Sequence, residues 1–323
     1  MNYRNLGRTA LKVSELCLGT MNFGPRTGAA ESFQILDRAV DAGINFIDTA
    51  NQYGGNLGVG TTETLLGEWL AKNPDKRDKL VLATKVHEPM SDDVNDRGLS
   101  ARHISQACDA SLKRLGVEHI ELYQMHHIDR SAPVEEFWLA MERLIAQGKI
   151  TYVGTSNFPG WAIARASEKA FARHGLGLVA EQSLYNLIER RAELEVIPAC
   201  QAYGLGVIVW SPLAGGLLAG PPSGPSGDGR RGSTDMAAQI ESRRTQLADY
   251  AALCSELNES PSNVALAWLL HQPGITATII GPGTREQFES SLTVPEIKLT
   301  QSTLDRLDNI FPPCGAAPEA YAW

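Results

Sequence analysis

The sequence predicts an α/β fold: a (β/α)8 TIM barrel with an N-terminal hairpin and a long loop after strand seven. Three observations lead there. Short β-rich apolar runs alternate with longer amphipathic stretches almost throughout the 323 residues. Strand, helix and strand in succession imply parallel strands, and eight such units suit a closed barrel better than an open sheet. The length fits one barrel of about 250 residues plus insertions, so residues 1–323 are read as one domain.

The elements follow in order. The segment YRNLGRTALKVS reads as a hairpin with Gly7 at its turn, placed to close the barrel floor. The expected strands are Leu16–Leu18, Asn45–Ile47, Leu80–Thr84, Ile120–Met125, Thr151–Gly154, Leu178–Ala180, Gly206–Val209 and Ala277–Ile280. Between them lie helical patterns such as ESFQILDRAVDAG, SARHISQACDASLKRLG and VEEFWLAMERLIAQG. In the last, Phe137, Met141, Leu144 and Ile145 recur at the spacing of one helix face, and Gly148 stands where a helix stops. One segment breaks the rhythm. Residues 214–235, AGGLLAGPPSGPSGDGRRGSTD, are dense in Gly, Pro and Ser. A long structureless loop in a compact domain is functional or disordered, and its place after strand seven puts this one on the catalytic face. A tolerated surface insertion is the alternative.

The net charge of −8 argues against a nucleic-acid partner, which would favour a basic surface. The start, MNYRNLGRTALKV, lacks the apolar region of a signal peptide, and no apolar run approaches the roughly 18 residues of a membrane span. Cys17, Cys108, Cys200, Cys254 and Cys314 are odd in number and scattered, which suits neither a disulfide framework nor a zinc site with paired ligands. The expectation is a soluble cytoplasmic protein without metal, membrane or nucleic-acid partner. Its oligomeric state is left open, a homo-oligomer included.

In such barrels chemistry collects at the C-terminal ends of the strands. Strand two ends in Asp48, with Tyr53 in the following loop; strand three ends in Lys85 and strand four in His126-His127. Strand five ends in Ser156-Asn157, six in Glu181-Gln182, seven in Trp210-Ser211, and eight runs into Gly281 to Gln287. Singly, each has a structural explanation. Together, Asp48, Tyr53, Lys85 and His126 form a coupled acid. A free tyrosine has a pKa of about 10, too high for easy proton donation at neutral pH. A nearby ammonium lowers it, a carboxylate keeps that ammonium charged, and a histidine can orient a carbonyl oxygen.

The stretches LGTMNFG, AGINFIDTANQYG, VLATK, LYQMHH, GKITYVGTSNF, VWSPLAGGLLAG and IIGPGTREQFESSL make the chain resemble the aldo-keto reductases over essentially its whole length. The resemblance implies reduction of an aldehyde or ketone by hydride from a nicotinamide cofactor, with Asp48, Tyr53, Lys85 and His126 on the family's catalytic positions. It implies that Ser156, Asn157 and Gln182 hold the carboxamide and that Trp210 stacks on the nicotinamide. Gly19, Thr20 and Met21, with Asp48, would line that pocket. Ser211, Pro212, Leu213 and Gly215 would hold the pyrophosphate with Gly281, Gly283, Thr284, Arg285, Gln287 and Ser291 toward the adenosine.

The implied cofactor is NADP as NADPH, with NAD the alternative. Arg285 is the candidate reader of a 2′-phosphate, supplemented by Arg230 and Arg231. Two departures bear on that preference: Pro221-Pro222 stand where relatives often carry a basic residue, and Ser290-Ser291 where they commonly carry an acid-Asn pair. The implied partner is a small-molecule carbonyl compound, a generic aldehyde or a keto-deoxysugar.

A Rossmann dehydrogenase would need G-x-G-x-x-G after the first strand, and the turn here reads GTMNFGPRTG. A metal-dependent barrel hydrolase would need clustered ligands, whereas His126 and His127, as neighbours on a strand, should face opposite ways. The chain also resembles potassium-channel β subunits, which keep the barrel and cofactor but act as regulatory partners.

Overall fold

The computed structural model describes residues 1–220 and 234–322. Pro221-Pro222, Arg230 and Arg231, singled out above, lie outside the described residues. Strands β1 (Tyr3–Asn5) and β2 (Lys12–Ser14) form an antiparallel hairpin. Eight parallel strands then close a barrel: β3 (Leu16–Gly19), β4 (Phe46–Asp48), β5 (Val81–Val86), β6 (Ile120–Met125), β7 (Ile150–Ser156), β8 (Leu178–Leu184), β9 (Gly206–Trp210) and β10 (Ile275–Ile280). Each pairs with its sequence neighbour, and β10 returns to β3 through Thr278–Leu16 and Ile280–Leu18.

The ring of helices around the barrel includes α1 (Ala29–Asp41), α2 (Thr61–Lys72), α3 (Pro74–Arg77), α4 (Ala101–Leu115), α5 (Val134–Ala146), α6 (Gly160–Phe171) and α7 (Val196–Tyr203). It continues with α8 (Thr234–Ser242), α9 (Arg244–Glu256), α10 (Pro261–His271), α11 (Arg285–Ser291) and α12 (Gln301–Ile310). Local chemistry sets their ends. The Ser100 side chain accepts from His103 N at the start of α4, and Gly116 closes it in the left-handed conformation. At α10, Ser260 caps and Pro261 takes the first turn, where its missing N–H leaves no helical bond unmade.

Alternation along the strands separates two apolar cores. One fills the shell between strands and helices, with Trp69, Trp138, Tyr185 and Trp268 among its largest members. The other fills the lower barrel and joins Phe46, Val81, Ala83, Leu122, Ala180 and Ile208 to Leu6 and Val13 of the hairpin. The hairpin is the barrel floor, as expected. Gly7 makes that seal: it has φ +54°, and a Cβ there would stand 2.4 Å from the Val179 carbonyl oxygen.

Six expected strands run past their expected ends, β3 by Gly19 alone, and β10 begins earlier, at Ile275. β5, β7, β8 and β9 run on through Val86, Ser156, Leu184 and Trp210, and β4 includes Asp48. Reading apolar runs stops at the first polar residue, but buried polar side chains that find partners let the backbone ladder continue. The described start of the Gly-rich segment is a short 3-10 stretch, Ala214–Ala219, with Leu217 and Leu218 buried, so the structureless reading does not hold there. Among the described residues no helix is long and apolar enough to cross a membrane, and all five cysteines are free.

Candidate active site

The upper barrel is polar, and its side chains come from the same inward rows that are apolar below. On β4, Phe46 faces the lower core and Asp48, two residues on, the upper barrel; Ala83 and Lys85 on β5, and Leu122 and Gln124 on β6, repeat the switch. Lys85 Nζ donates to Asp48 Oδ2 at 2.6 Å, to the Thr49 carbonyl at 2.8 Å and to the Tyr53 hydroxyl at 3.2 Å. Its side chain is fully buried and that of Asp48 is 3% exposed. The other carboxylate oxygen, Asp48 Oδ1, accepts from Gln182 Nε2 at 2.8 Å and from Gln124 Nε2 at 3.1 Å. Tyr53 is half-buried in the loop after β4, its ring edge-on to His126 at 6.0 Å between centroids. The structure thus brings all four expected residues together.

Gln124 was not among the expected residues. Its signal was present: a polar residue two before His126, in phase with it on a strand that is otherwise largely apolar. Room for it comes from β7, where a Cβ on Gly154 would stand 3.1 Å from Gln124 Cγ.

Burial sets the protonation states. Burial pushes the Tyr53 phenol above its ordinary 10.0; Lys85 pulls it down and Asp48 adds to the rise. The lowering expected from Lys85 is present, but burial outweighs it, so the net direction is opposite to the sequence reading. For Lys85, burial pulls downward, yet Asp48 and then Tyr53 more than offset it, and its pKa ends above 10.5. Lys85 is therefore held as an ammonium against Asp48. His126 is held down at about 2 by burial first, then by Lys85, His127 and His87, so its ring is neutral at working pH.

The expectation that His126 and His127 face opposite ways fails. β6 ends at Met125, so strand alternation no longer applies, and the two rings stack at 5.0 Å with 12° between planes.

Around this centre the remaining candidates divide in two. Ser156, Asn157, Gln182 and Trp210 adjoin it. Ser156 Oγ donates to the Gln182 carbonyl at 2.9 Å. Asn157 has φ +60°; its amide donates to the His126 carbonyl at 3.1 Å and to Ser156 Oγ at 3.0 Å, and accepts from Trp210 Nε1 at 3.0 Å. Gly19 and Thr20 are buried beside Asp48, whose carbonyl accepts from Thr20 N and Oγ1, both at 3.0 Å; Met21 is exposed.

The second group is backbone rather than side chain. Ser211, Ala214, Gly215 and Gly216 all have positive φ, following Pro212 and Leu213. Asn186 Nδ2 holds the Ser211 carbonyl at 3.0 Å, and Asn22 Nδ2 that of Gly281 at 2.9 Å; neither asparagine was expected. A Cβ on Gly281 would meet only Asn22 Nδ2 at 3.9 Å, so the surface there is an open cradle that a side chain would fill. Gly283 N donates to Gln287 Oε1 at 2.8 Å, and Thr284 Oγ1 caps Gln287 N at 3.3 Å. Arg285 is exposed, with Nε 3.7 Å from Glu289 Oε1, a carboxylate that Arg38 Nε already binds at 3.0 Å. Ser291 is buried, and its hydroxyl donates to the Phe288 carbonyl of its own helix at 2.7 Å.

Comparison with known proteins matches residues 15–311 to the model of the aldo/keto reductase family. The chain belongs to the aldo/keto reductase family. This aldo/keto reductase is 51% identical to an uncharacterized oxidoreductase, YrpG, of Bacillus subtilis (strain 168), over the whole of both chains. It is 34% identical to a putative voltage-gated potassium channel subunit beta of Schizosaccharomyces pombe, over 95% of this chain and 92% of that one. It is 31% identical to the versiconal hemiacetal acetate reductase of Aspergillus parasiticus, over 98% and 99% respectively. Family membership and the oxidoreductases among the relatives support carbonyl reduction as the general activity.

Proposed function

We propose that this aldo/keto reductase reduces an aldehyde or ketone to the alcohol with NADPH, NADH being the alternative, and that Tyr53 donates the proton. The observation that carries this reading is the contact of one buried ammonium, Lys85 Nζ, with both the Tyr53 hydroxyl and Asp48. A nicotinamide dinucleotide, when bound, supplies the hydride. The residues present fit such a group: the amides of Asn157 and Gln182 and the indole of Trp210 suit the nicotinamide, and the open backbone at Gly281 suits the phosphates and adenosine.

The chain's own part is to hold and move one proton. The neutral His126 ring can hydrogen-bond a carbonyl oxygen without carrying charge. Tyr53 is protonated at neutral pH, and burial pushes its pKa further up. As negative charge grows on the substrate oxygen, the phenol gives up its proton, and the adjacent Lys85 ammonium stabilises the phenolate left behind. Asp48 keeps Lys85 charged, and Gln124 and Gln182 fix Asp48. Trp210, tied to Asn157, would cover one face of the ring and leave the other toward the substrate. NADPH preference rests on Arg285, whose guanidinium has only a distant, shared carboxylate and suits a 2′-phosphate. The substrate is a small cytoplasmic carbonyl compound, a keto-sugar or a simple aldehyde.

The test is NADPH and NADH oxidation by the purified protein across aldehydes, ketones and keto-sugars. A second reading, a regulatory subunit that retains cofactor, draws on the likeness to a putative channel β subunit. Cofactor binding with no turnover on any carbonyl would favour that reading. Cofactor deuterated on one face at a time checks the Trp210 assignment: label should reach the product from a single face.

A further inference from the structure

One buried acid plays no part in the chemistry above. Glu181 is fully buried on β8, and no cation pairs with it among the described residues. Gln182, its neighbour, turns inward to Asp48, so alternation points Glu181 outward, away from the reacting centre. The register explains its company: Thr155 on β7 lies opposite Glu181, as Ser156 lies opposite Gln182. Two faces of the same strand pair thus carry two polar sets. The inner set, Ser156 and Gln182, borders the active site. The outer set is bonded to Glu181: Thr155 Oγ1 donates to Oε2, Ser183 Oγ to Oε1 at 2.9 Å, and Phe158 N to Oε1 at 3.1 Å.

The last bond ties the acid to function. Phe158 N belongs to the turn leaving β7, and the residue before it is Asn157, held at φ +60°. A left-handed asparagine persists where its surroundings over-determine it. Asn157 in turn accepts from Trp210 Nε1 and donates to the His126 carbonyl. We propose that Glu181 is a positioning residue for the cofactor pocket: its carboxyl clamps the Asn157–Phe158 turn, and through Asn157 it sets the Trp210 ring. This rests on the nicotinamide reading of Asn157 and Trp210 given above.

Burial holds the Glu181 carboxyl up at about 8 against the pull of its donors. Glutamine keeps the bulk and an acceptor oxygen for Phe158 N, so it is the close mimic. Leucine keeps similar bulk and removes every bond. The experiment is calorimetric binding at pH 7 of NADPH or NADH, whichever the wild type binds more tightly. Beside it is measured the same dinucleotide lacking nicotinamide: adenosine diphosphate ribose, with its 2′-phosphate where NADPH is used.

Glu181→Leu should weaken the dinucleotide about tenfold, the scale of one lost buried hydrogen bond, and leave the nicotinamide-free fragment unchanged. Glu181→Gln should restore wild-type binding. In an Asn157→Ala background Glu181→Leu should add no further loss, because both act on one contact. Equal loss of both ligands, an additive double variant, or an unchanged Glu181→Leu would overturn the assignment. If Glu181→Leu does not fold, Thr155→Val with Ser183→Ala strips two donors from the carboxyl at constant shape, and the same selective loss is expected. A wild type that binds neither dinucleotide would instead defeat the nicotinamide reading itself.

Discussion

The strand ends from β4 to β8 and the loops after β9 and β10 build the two halves of the site by different means. In the first, the working groups are side chains, several of them held by other side chains: Lys85 by Asp48, Asp48 by Gln124 and Gln182, Asn157 by Trp210. In the second, the surface is backbone, shaped by positive φ at Ser211 and Ala214 to Gly216 and left open at Gly281. Hydrogen bonds among charged groups are worth more in a buried, low-dielectric setting and are costly to break there. The first half should therefore respond sharply to single substitutions. The second should respond weakly, and chiefly in cofactor affinity.

The largest effect expected is in the first half. Tyr53→Phe removes the proton and keeps the ring, and carbonyl reduction should fall by about 10²- to 10⁴-fold, the range for general acid catalysis. Cofactor affinity should hold near wild type. Single-turnover NADPH oxidation measured beside cofactor binding checks both, and a near wild-type rate would remove Tyr53 from its role.

Lys85→Met comes next. It leaves Asp48 buried without its cation, which costs about 3–5 kcal/mol of stability in chemical denaturation. The pH dependence has a definite sign. Burial raises the Tyr53 pKa and Lys85 opposes that rise, so without Lys85 the phenol titrates higher still. The protonated phenol is the active form in reduction, so the alkaline fall in residual activity should move to higher pH. A profile that overlays the wild type would show that Lys85 does not tune Tyr53.

Gln124→Leu is a smaller perturbation in the same region. It takes one donor from Asp48 Oδ1 while Gln182 remains, and about 1.5–3 kcal/mol should be lost, as for a hydrogen bond to a charged group. Thermal unfolding and turnover together test it. No change in either would mean that Gln182 alone fixes Asp48.

The smallest effect belongs to the second half. Arg285→Ala should raise the Michaelis constant for NADPH roughly fivefold to tenfold, the low end for a charge-assisted bond at an exposed site. The constant for NADH should scarcely move. Equal losses with both cofactors would mean that Arg285 supports its loop instead of reading a phosphate.

The barrel, its floor and the end of the barrel that carries Asp48, Tyr53, Lys85 and His126 were legible in the residue order. Strand–helix alternation repeats eight times; Asp48, Lys85 and His126 stand where an apolar run ends and Tyr53 in the loop after the first of these, so position along the chain was enough to bring them to one end of the barrel. The tertiary structure decided what depends on which atoms meet. Gln124 gained a role because Gly154, on the next strand, leaves space beside it. Glu181 separated from Gln182 because the β7–β8 register sends one outward and the other to Asp48. His126 and His127 stacked because β6 ends at Met125, a boundary that hydrophobic pattern does not fix. The direction of the Tyr53 shift was also decided there, since Lys85 and burial oppose one another, and only the depth of the pocket says which prevails.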